Sequence, residues 1–340
     1  MQSRSISYRT TSLIVLAGVL ATLLFIAPDV PLVIFAGVLF SVFFSGGGLW
    51  IARQTGLSRG WGIGVFIVLI LLGFTGSILF FAPAMTEQAD QLTTELPAAF
   101  ENLKDRIGKY SWGERVLDAV QPEGLMSGLS GRAAASAVTG TFGALGNFVI
   151  MLFIGIYGAI DPSPYRKGLL ALLAPSLRPR AGTVLDRAGA TLQNWLSAQL
   201  ISMSAVGLLT WLGLWLIGIP LAFILGLIAA ILAFIPNIGP LLAAAPAILL
   251  AFPDGNSAVL LVIAVYVTVQ TLESYILTPL IQQEKVSLPP ALIISAQLLM
   301  GVLFGILGLA LATPLAALGM TLVSALYIGD FLEQEDRVTT

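Results

Sequence analysis

The chain has no cysteine and no histidine in 340 residues, and only 10% of its residues are charged. Without cysteine there are no disulfides and no thiolate metal sites. Without histidine there are no imidazole metal ligands, no Ser-His or Cys-His nucleophile pairs and no imidazole proton relay. Intramembrane proteolysis would need paired aspartates inside a span, a serine with a base, or a zinc motif, and none is written here. There is no Gly-Lys-Ser/Thr phosphate loop, so ATP is not the energy source within this chain. The net charge of −2 comes with no basic cluster, which leaves no footprint for nucleic acid. No cofactor, no metal and no enzymatic activity are expected.

What remains is apolar. Hydrophobic residues make up 57% of the chain and the mean hydropathy is +0.95. A soluble domain carries about 25% charged residues. Apolar runs near the ~20 residues that span a bilayer recur, in place of short alternating strands. The fold class expected is an all-α integral membrane protein of about eight membrane segments, two of them broken helices or re-entrant hairpins, with amphipathic helices outside the membrane.

The expected organisation falls into five regions. Residues 1–82 hold three spans, Thr11–Ala27, Leu32–Ile51 and Trp61–Ala82, with Arg4 and Arg9 before the first and Arg53 and Arg59 after the second. The positive-inside rule places these arginines, and so the N-terminus, on the cytoplasmic side. Residues 83–137 form an external polar segment. In it Leu92, Leu96, Phe100, Leu103, Ile107 and Tyr110 recur at steps of four and three, an apolar helical stripe suited to a bilayer surface or to a subunit contact. Residues 138–194 are a fourth span, carrying Asn147, followed by a basic segment of short amphipathic helices under the membrane. Residues 195–328 are a C-terminal transport region, and 329–340 an acidic tail.

Leu221–Phe252 organises the transport region. It carries no charge, yet it is too long for one plain crossing. Pro236-Asn237-Ile238-Gly239-Pro240, near its middle, removes two backbone donors and interrupts the helix. One reading is a kinked helix or a tight turn outside the membrane. The other is a broken helix at a transport site, because non-helical backbone at membrane depth persists only where protein buries it or a wet cavity receives it. Leu288–Ile328 is a second over-long run, interrupted around Gly305, Gly308 and Pro314.

Between these runs lies Glu273, an acid inside an apolar span, with Gln270 one turn earlier on the same face. Intramembrane acids are functional by default and can bind a proton or a small cation, although near a span end the carboxylate can also snorkel to water. Asn237 offers an amide beside freed backbone, as a ligand for a polar solute or Na+ or as a helix cap. Gln199, Ser202, Ser204, Gln297 and Thr313 read individually as interhelical hydrogen-bonding groups.

The stretch PNIGPLLAAAPAILLA resembles the IPxxGPxxxxxPAxxxA pattern of the AI-2E transporter family, an autoinducer-2-exporter-like permease family. VQTLESYILTPLI is similar to its Gln-x-x-Glu pattern leading to proline, and SLPPALIISAQLLMGVLFGILGLALATPLAA to its last run. The resemblance implies a multi-pass transporter of the bacterial inner membrane that exports a small polar, autoinducer-2-like signal. Alternatively it implies an Na+(Li+)/H+ antiporter using Glu273, with H+ or Na+ as the coupling ion. It also implies a homo-oligomer, a pentamer with elevator-like movement. By motif, Pro236, Gly239, Pro240 and Pro246 match the first break, Gln270, Glu273 and Pro279 the polar span, and Gly305, Gly308 and Pro314 the last break. Gln199 matches a Gly-Gln pair whose glycine is Ala198 here, and Ser274-Tyr275 stands where the family often has Gly-Asn. A third reading, outside the transporter class, is a membrane scaffold whose external helix recruits partners.

Overall fold

A computed structural model of the full chain describes Val15, Gly18, Thr22, Ile26, Ala27, residues 29–73, 75, 76, 79, 131–281 and 289–326. Most of the expected first span, nearly all of the external segment, Lys285 and the acidic tail lie outside these described residues. Among the described residues every regular element is a helix. In chain order the longer ones are α1 (Asp29–Thr55), α2 (Arg59–Gly73), α3 (Gly131–Ile160), α4 (Ser163–Ala171), α5 (Arg178–Leu216), α6 (Ala222–Leu232), α7 (Ile238–Ala251), α8 (Asn256–Leu272) and α9 (Pro290–Val323), with a four-residue helix Thr278–Ile281 before α9. Short 3-10 and π segments lie at Pro175–Leu177 and Glu273–Leu277. All-helical structure is what apolar solvent demands, since each backbone donor must then be satisfied within its own segment. Among the described residues, and by length and composition alone, four helices are long and apolar enough to cross a bilayer, or five if the bent pair Leu145–Ile160 and Ser163–Ala171 is taken as one span.

The chain divides into two compact units. The first comprises Met1–Leu71, Gly146–Ser197 and Glu284–Thr340. In it, Leu32, Val33, Ala36 and Leu39 of α1 share an apolar cluster with Met151, Leu192 and Leu311, and Phe44, Ile63 and Ala159 share another. Arginines close the ends of helices. Arg59 donates to the Ala159 carbonyl at 3.3 Å, Arg178 to Leu173 and Ala171 at 3.1 and 3.3 Å, and Arg180 to Ala325 at 2.8 Å. The last carbonyls of a helix lack partners within it and carry partial negative charge, so a guanidinium there meets both needs.

The second unit comprises Leu72–Leu145 and Ala198–Gln283. Its core is one cluster drawn from α5 to α8, including Val206, Leu214, Leu225, Ala229, Ala243, Ala247, Leu250 and Val262. Small residues let these helices approach closely. A Cβ on Gly226 would stand 2.6 Å from Trp211 Cβ and 2.9 Å from the Gly207 carbonyl. Lipid tails are as apolar as leucine, so close packing of this kind replaces the hydrophobic effect as the glue between helices in a bilayer.

Two expectations need correction. The segment expected as short helices from Asp161 to Asn194, followed by a new span at Trp195, is resolved otherwise. Only α4 and the 3-10 turn are short, and Arg178–Leu216 is one helix of 39 residues. Its charges do not stop it, because Val184, Ala188, Thr191 and Leu192 bury a continuous face while Arg187 and Asp186 stay outside. In α9, Pro314 was expected to share in the break but lies buried inside the helix. The reversal is at Gly305 alone (φ 62°, ψ −145°). A Cβ on Gly301 would lie 3.8 Å from Leu309 Cβ, and one on Gly308 2.2 Å from the Met300 carbonyl. Residues eight apart in an unbroken helix stand about 12 Å apart. The run therefore folds back on itself at Gly305, where only glycine accepts such dihedrals.

Candidate functional site

The break in Leu221–Phe252 is built residue by residue. α6 ends at Leu232 with Ala233 as its cap, and the chain then tightens, with Phe234 N–H donating to Ile231 O at 3.2 Å and Ile235 N–H to Leu232 O at 2.9 Å. Pro236 follows and has no donor to offer. Asn237 adopts φ 66° and ψ −48°, and Ile238 N–H bonds across it to Pro236 O at 2.8 Å. This i→i+2 closure is the rare, strained form of γ-turn, tolerated by asparagine better than by most residues. Gly239 N–H then reaches Ile235 O at 2.9 Å and α7 begins. Pro240 sits in the first turn of α7, where its absent N–H would have had no helical partner. Pro246 lies inside α7, not in the break, and leaves the Leu242 carbonyl without its partner within the helix. The Asn237 side chain is exposed and makes no capping bond.

At 11 and 14 residues, α6 and α7 are about 16 and 21 Å long, short of the ~30 Å hydrocarbon core. Neither crosses a bilayer alone. The turn between them thus sits at the end of two half-length helices that share one apolar cluster.

Two side chains fasten this hairpin. Gln199, buried on α5, donates Nε2 to the Ala233 carbonyl at 2.7 Å, an orphan acceptor at the end of α6. Tyr266, buried on α8, donates its hydroxyl to the Ala243 carbonyl of α7 at 2.9 Å. One helical turn beyond Gln199, Ser202 Oγ donates to Glu273 Oε1 at 2.5 Å. The other carboxylate oxygen accepts from Gln270 Nε2 at 3.0 Å, and the same amide stands 3.4 Å from Ser274 Oγ. Glu273 opens the π segment Glu273–Leu277, which Thr278 N–H closes onto the Glu273 carbonyl. Pro279 follows in the short helix Thr278–Ile281. π segments concentrate at functional sites because one additional residue re-aims the side chains beside it.

One turn of α5 thus touches both irregularities of the second unit, Gln199 the hairpin break and Ser202 the half-buried carboxylate. Of the residues singled out in sequence, Ser202, Gln270 and Glu273 share one hydrogen-bond network, and Gln199 holds the end of α6 one turn away on α5. Asn237 and Pro236 form the nearby turn. Ser204 is exposed and bonds its own helix at Leu200 O. Asn147 is exposed. Gln297 and Thr313 are nearly fully buried in the first unit, where Thr313 Oγ1 has no hydrogen-bond partner among the described residues. Tyr266 was missed. The signal was a tyrosine in the most apolar part of Ala258–Leu277, since a buried tyrosine hydroxyl needs an acceptor.

A half-length helical hairpin, a strained turn and one bonded carboxylate are the parts of which secondary transporters are made. Residues 13–328 match the profile of AI-2E family transporters. The chain belongs to the AI-2E transporter family. It is similar to YueF of Bacillus subtilis, named as a transport protein, at 28% identity over 74% of this chain and 73% of that one. YhhT of Escherichia coli, also named as a transport protein, is 24% identical over 89% and 85%. TqsA of Escherichia coli K12, named as an AI-2 transport protein, is 26% identical over 74% and 71%. This AI-2E chain is accordingly a multi-pass membrane protein of a bacterial permease family, and its role is transport.

Proposed function

We propose that this AI-2E protein is a secondary transporter that exports a small polar solute of the autoinducer-2 kind across the bacterial inner membrane. The solute-binding groups proposed are Asn237, Gln199, Gln270 and Glu273. The turn Pro236-Asn237-Ile238-Gly239-Pro240 and the reversal at Gly305, with Gly308 in close contact beside it and Pro246, Pro279 and Pro314 in the adjoining helices, serve as the elements that gate access. The observation that carries the reading is the convergence on one turn of α5, where Gln199 meets the broken hairpin and Ser202 meets Glu273. Backbone freed at a helix break, with a bonded carboxylate beside it, suits recognition of a polar solute in a dry surrounding. The arginines around the first two expected spans add a cytoplasmic N-terminus to this proposal, and the resemblance adds a pentameric assembly.

A second reading is Na+(Li+)/H+ antiport. It rests on Glu273 lying inside the candidate span Asn256–Leu280 with both carboxylate oxygens hydrogen-bonded, a group able to exchange a proton for a cation.

Purified protein in vesicles separates the two. Na+-driven proton movement that is present in the native protein and absent in Glu273→Gln establishes antiport. Efflux of labelled autoinducer-2 that falls in Asn237→Ala, without Na+-driven proton movement, establishes solute export. A protein active in neither assay sinks both readings and leaves the scaffold, which would show itself by losing partner binding on deletion of residues 101–118.

A further inference from the structure

The short helix α4 follows the apolar helix Leu145–Ile160 at a bend of 94°. If the longer helix runs along the bilayer normal, α4 lies in the plane of the membrane surface. Its side chains sort into three directions at about 100° per residue. Tyr165, Leu169 and Leu172 fall within an arc of about 60°, and they are 56%, 53% and 58% exposed. Arg166 points about 100° away from Tyr165, donating to Asp186 Oδ2 at 2.8 Å and to the Gly182 carbonyl at 3.3 Å on α5. Lys167 points about 200° away, exposed. Arg178 holds the far end through the Ala171 and Leu173 carbonyls. α4 is thus fixed to its own protein along one side, apolar along a second and cationic along a third.

We propose that α4 is an interfacial helix that seats Tyr165, Leu169 and Leu172 among lipid acyl chains and recruits anionic phospholipid headgroups through Lys167 and the neighbouring Arg187. The occupant follows from the geometry. A free apolar edge parallel to the membrane plane, at the end of an apolar helix of spanning composition, meets the headgroup–acyl boundary. The charge agrees, because the stretch 161–187 carries Arg166, Lys167, Arg178, Arg180 and Arg187 against Asp161 and Asp186. Neither Lys167 nor Arg187 is in an ion pair among the described residues, while Arg166 is. Cations close to an anionic leaflet attract it, and a tyrosine with its ring buried and its hydroxyl at the headgroups is at home there.

The absence of cysteine makes the test direct, since one introduced cysteine gives one spin label. Full-length protein carrying Leu169→Cys, Leu172→Cys or Lys167→Cys would be labelled with a nitroxide. It would then be reconstituted in phosphatidylcholine vesicles with and without phosphatidylglycerol. Labels at 169 and 172 should be reached by oxygen in preference to a water-soluble nickel chelate, and the label at 167 should show the reverse. Labels at 169 and 172 reached by neither reagent would mean that protein covers the edge, and labels reached mainly by nickel would mean that water does. Either result overturns the proposal. Enrichment of phosphatidylglycerol over phosphatidylcholine around the native protein should fall by about five-fold for each cation lost in Lys167→Gln and Arg187→Gln at low salt, and less at high salt. Enrichment unchanged in the double variant would overturn the headgroup assignment.

Discussion

Gly239→Ala tests the hairpin most sharply. A Cβ at this position would stand 1.8 Å from the Leu232 carbonyl oxygen and 2.4 Å from the Leu232 carbon, both of them backbone. Ordinary van der Waals contact begins near 3.4 Å, so the turn would have to open by about 1.6 Å. No side chain can rotate away to relieve it. The Leu232 carbonyl already accepts from Ile235 N–H, and Gly239 N–H already donates to Ile235 O, so opening the turn strains both bonds. Forced overpacking costs about 1–3 kcal/mol, and a clash with backbone lies at the upper end. The control is Gly168→Ala in α4, where a Cβ meets nothing within 4 Å. That change should be neutral or stabilising by about 0.5–1 kcal/mol, since alanine suits a helix interior better than glycine. Unfolding in detergent, followed by tryptophan fluorescence, gives the comparison, and hydrogen exchange over residues 232–239 reports the site itself. A Gly239→Ala protein as stable as the Gly168→Ala control, with unchanged exchange in the turn, would refute the close approach.

Asn237→Gly should preserve stability while Asn237→Ala loses about 1 kcal/mol, because glycine shares asparagine's tolerance of positive φ and alanine does not. If Asn237→Gly transports at the native rate in vesicles, the Asn237 amide is not a solute ligand. Gln199→Leu should cost about 1–3 kcal/mol in detergent unfolding by stranding the Ala233 carbonyl, and Tyr266→Phe about 1 kcal/mol at Ala243. Ser202→Ala and Glu273→Gln should be non-additive by about 0.5–3 kcal/mol in a double-mutant cycle on stability, and additive effects would argue against their 2.5 Å bond. Arg180→Ala should raise hydrogen exchange at the end of α9, near Ala325, and leave the hairpin α6–α7 unchanged.

The first break was legible because its prolines and glycine cluster within five residues, and composition alone made the chain a helical membrane protein. The second was legible in place, with Gly305 named beside Gly308 and Pro314, but the share of each was not. Pro314 looks like a breaker, yet it is buried inside its helix, and the reversal comes from the dihedral angles of Gly305, which no side chain announces. The start of α5 was misread because Arg178, Arg180, Asp186 and Arg187 made the segment look like short helices ending before a separate span at Trp195. A helix is ended by its caps and breakers, not by charge, and charges on one face leave the other free to pack. Glu273 and Gln270 could be paired from their spacing of three. The contacts of Gln199 with Ala233 and of Ser202 with Glu273 span 34 and 71 residues, and no local pattern encodes them.

The π segment at Glu273–Leu277 has an evolutionary reading. A π turn accommodates one more residue than the α-helix on either side of it, so it behaves as a single-residue insertion held where the function benefits. Among relatives of this chain, a length difference of one residue should therefore fall between 273 and 277. A relative lacking that residue would carry the side chains after the segment, Pro279 among them, rotated by about 100° around the helix relative to the acid. Such a protein could keep every apolar span and its carboxylate and still turn the proline that follows to another side.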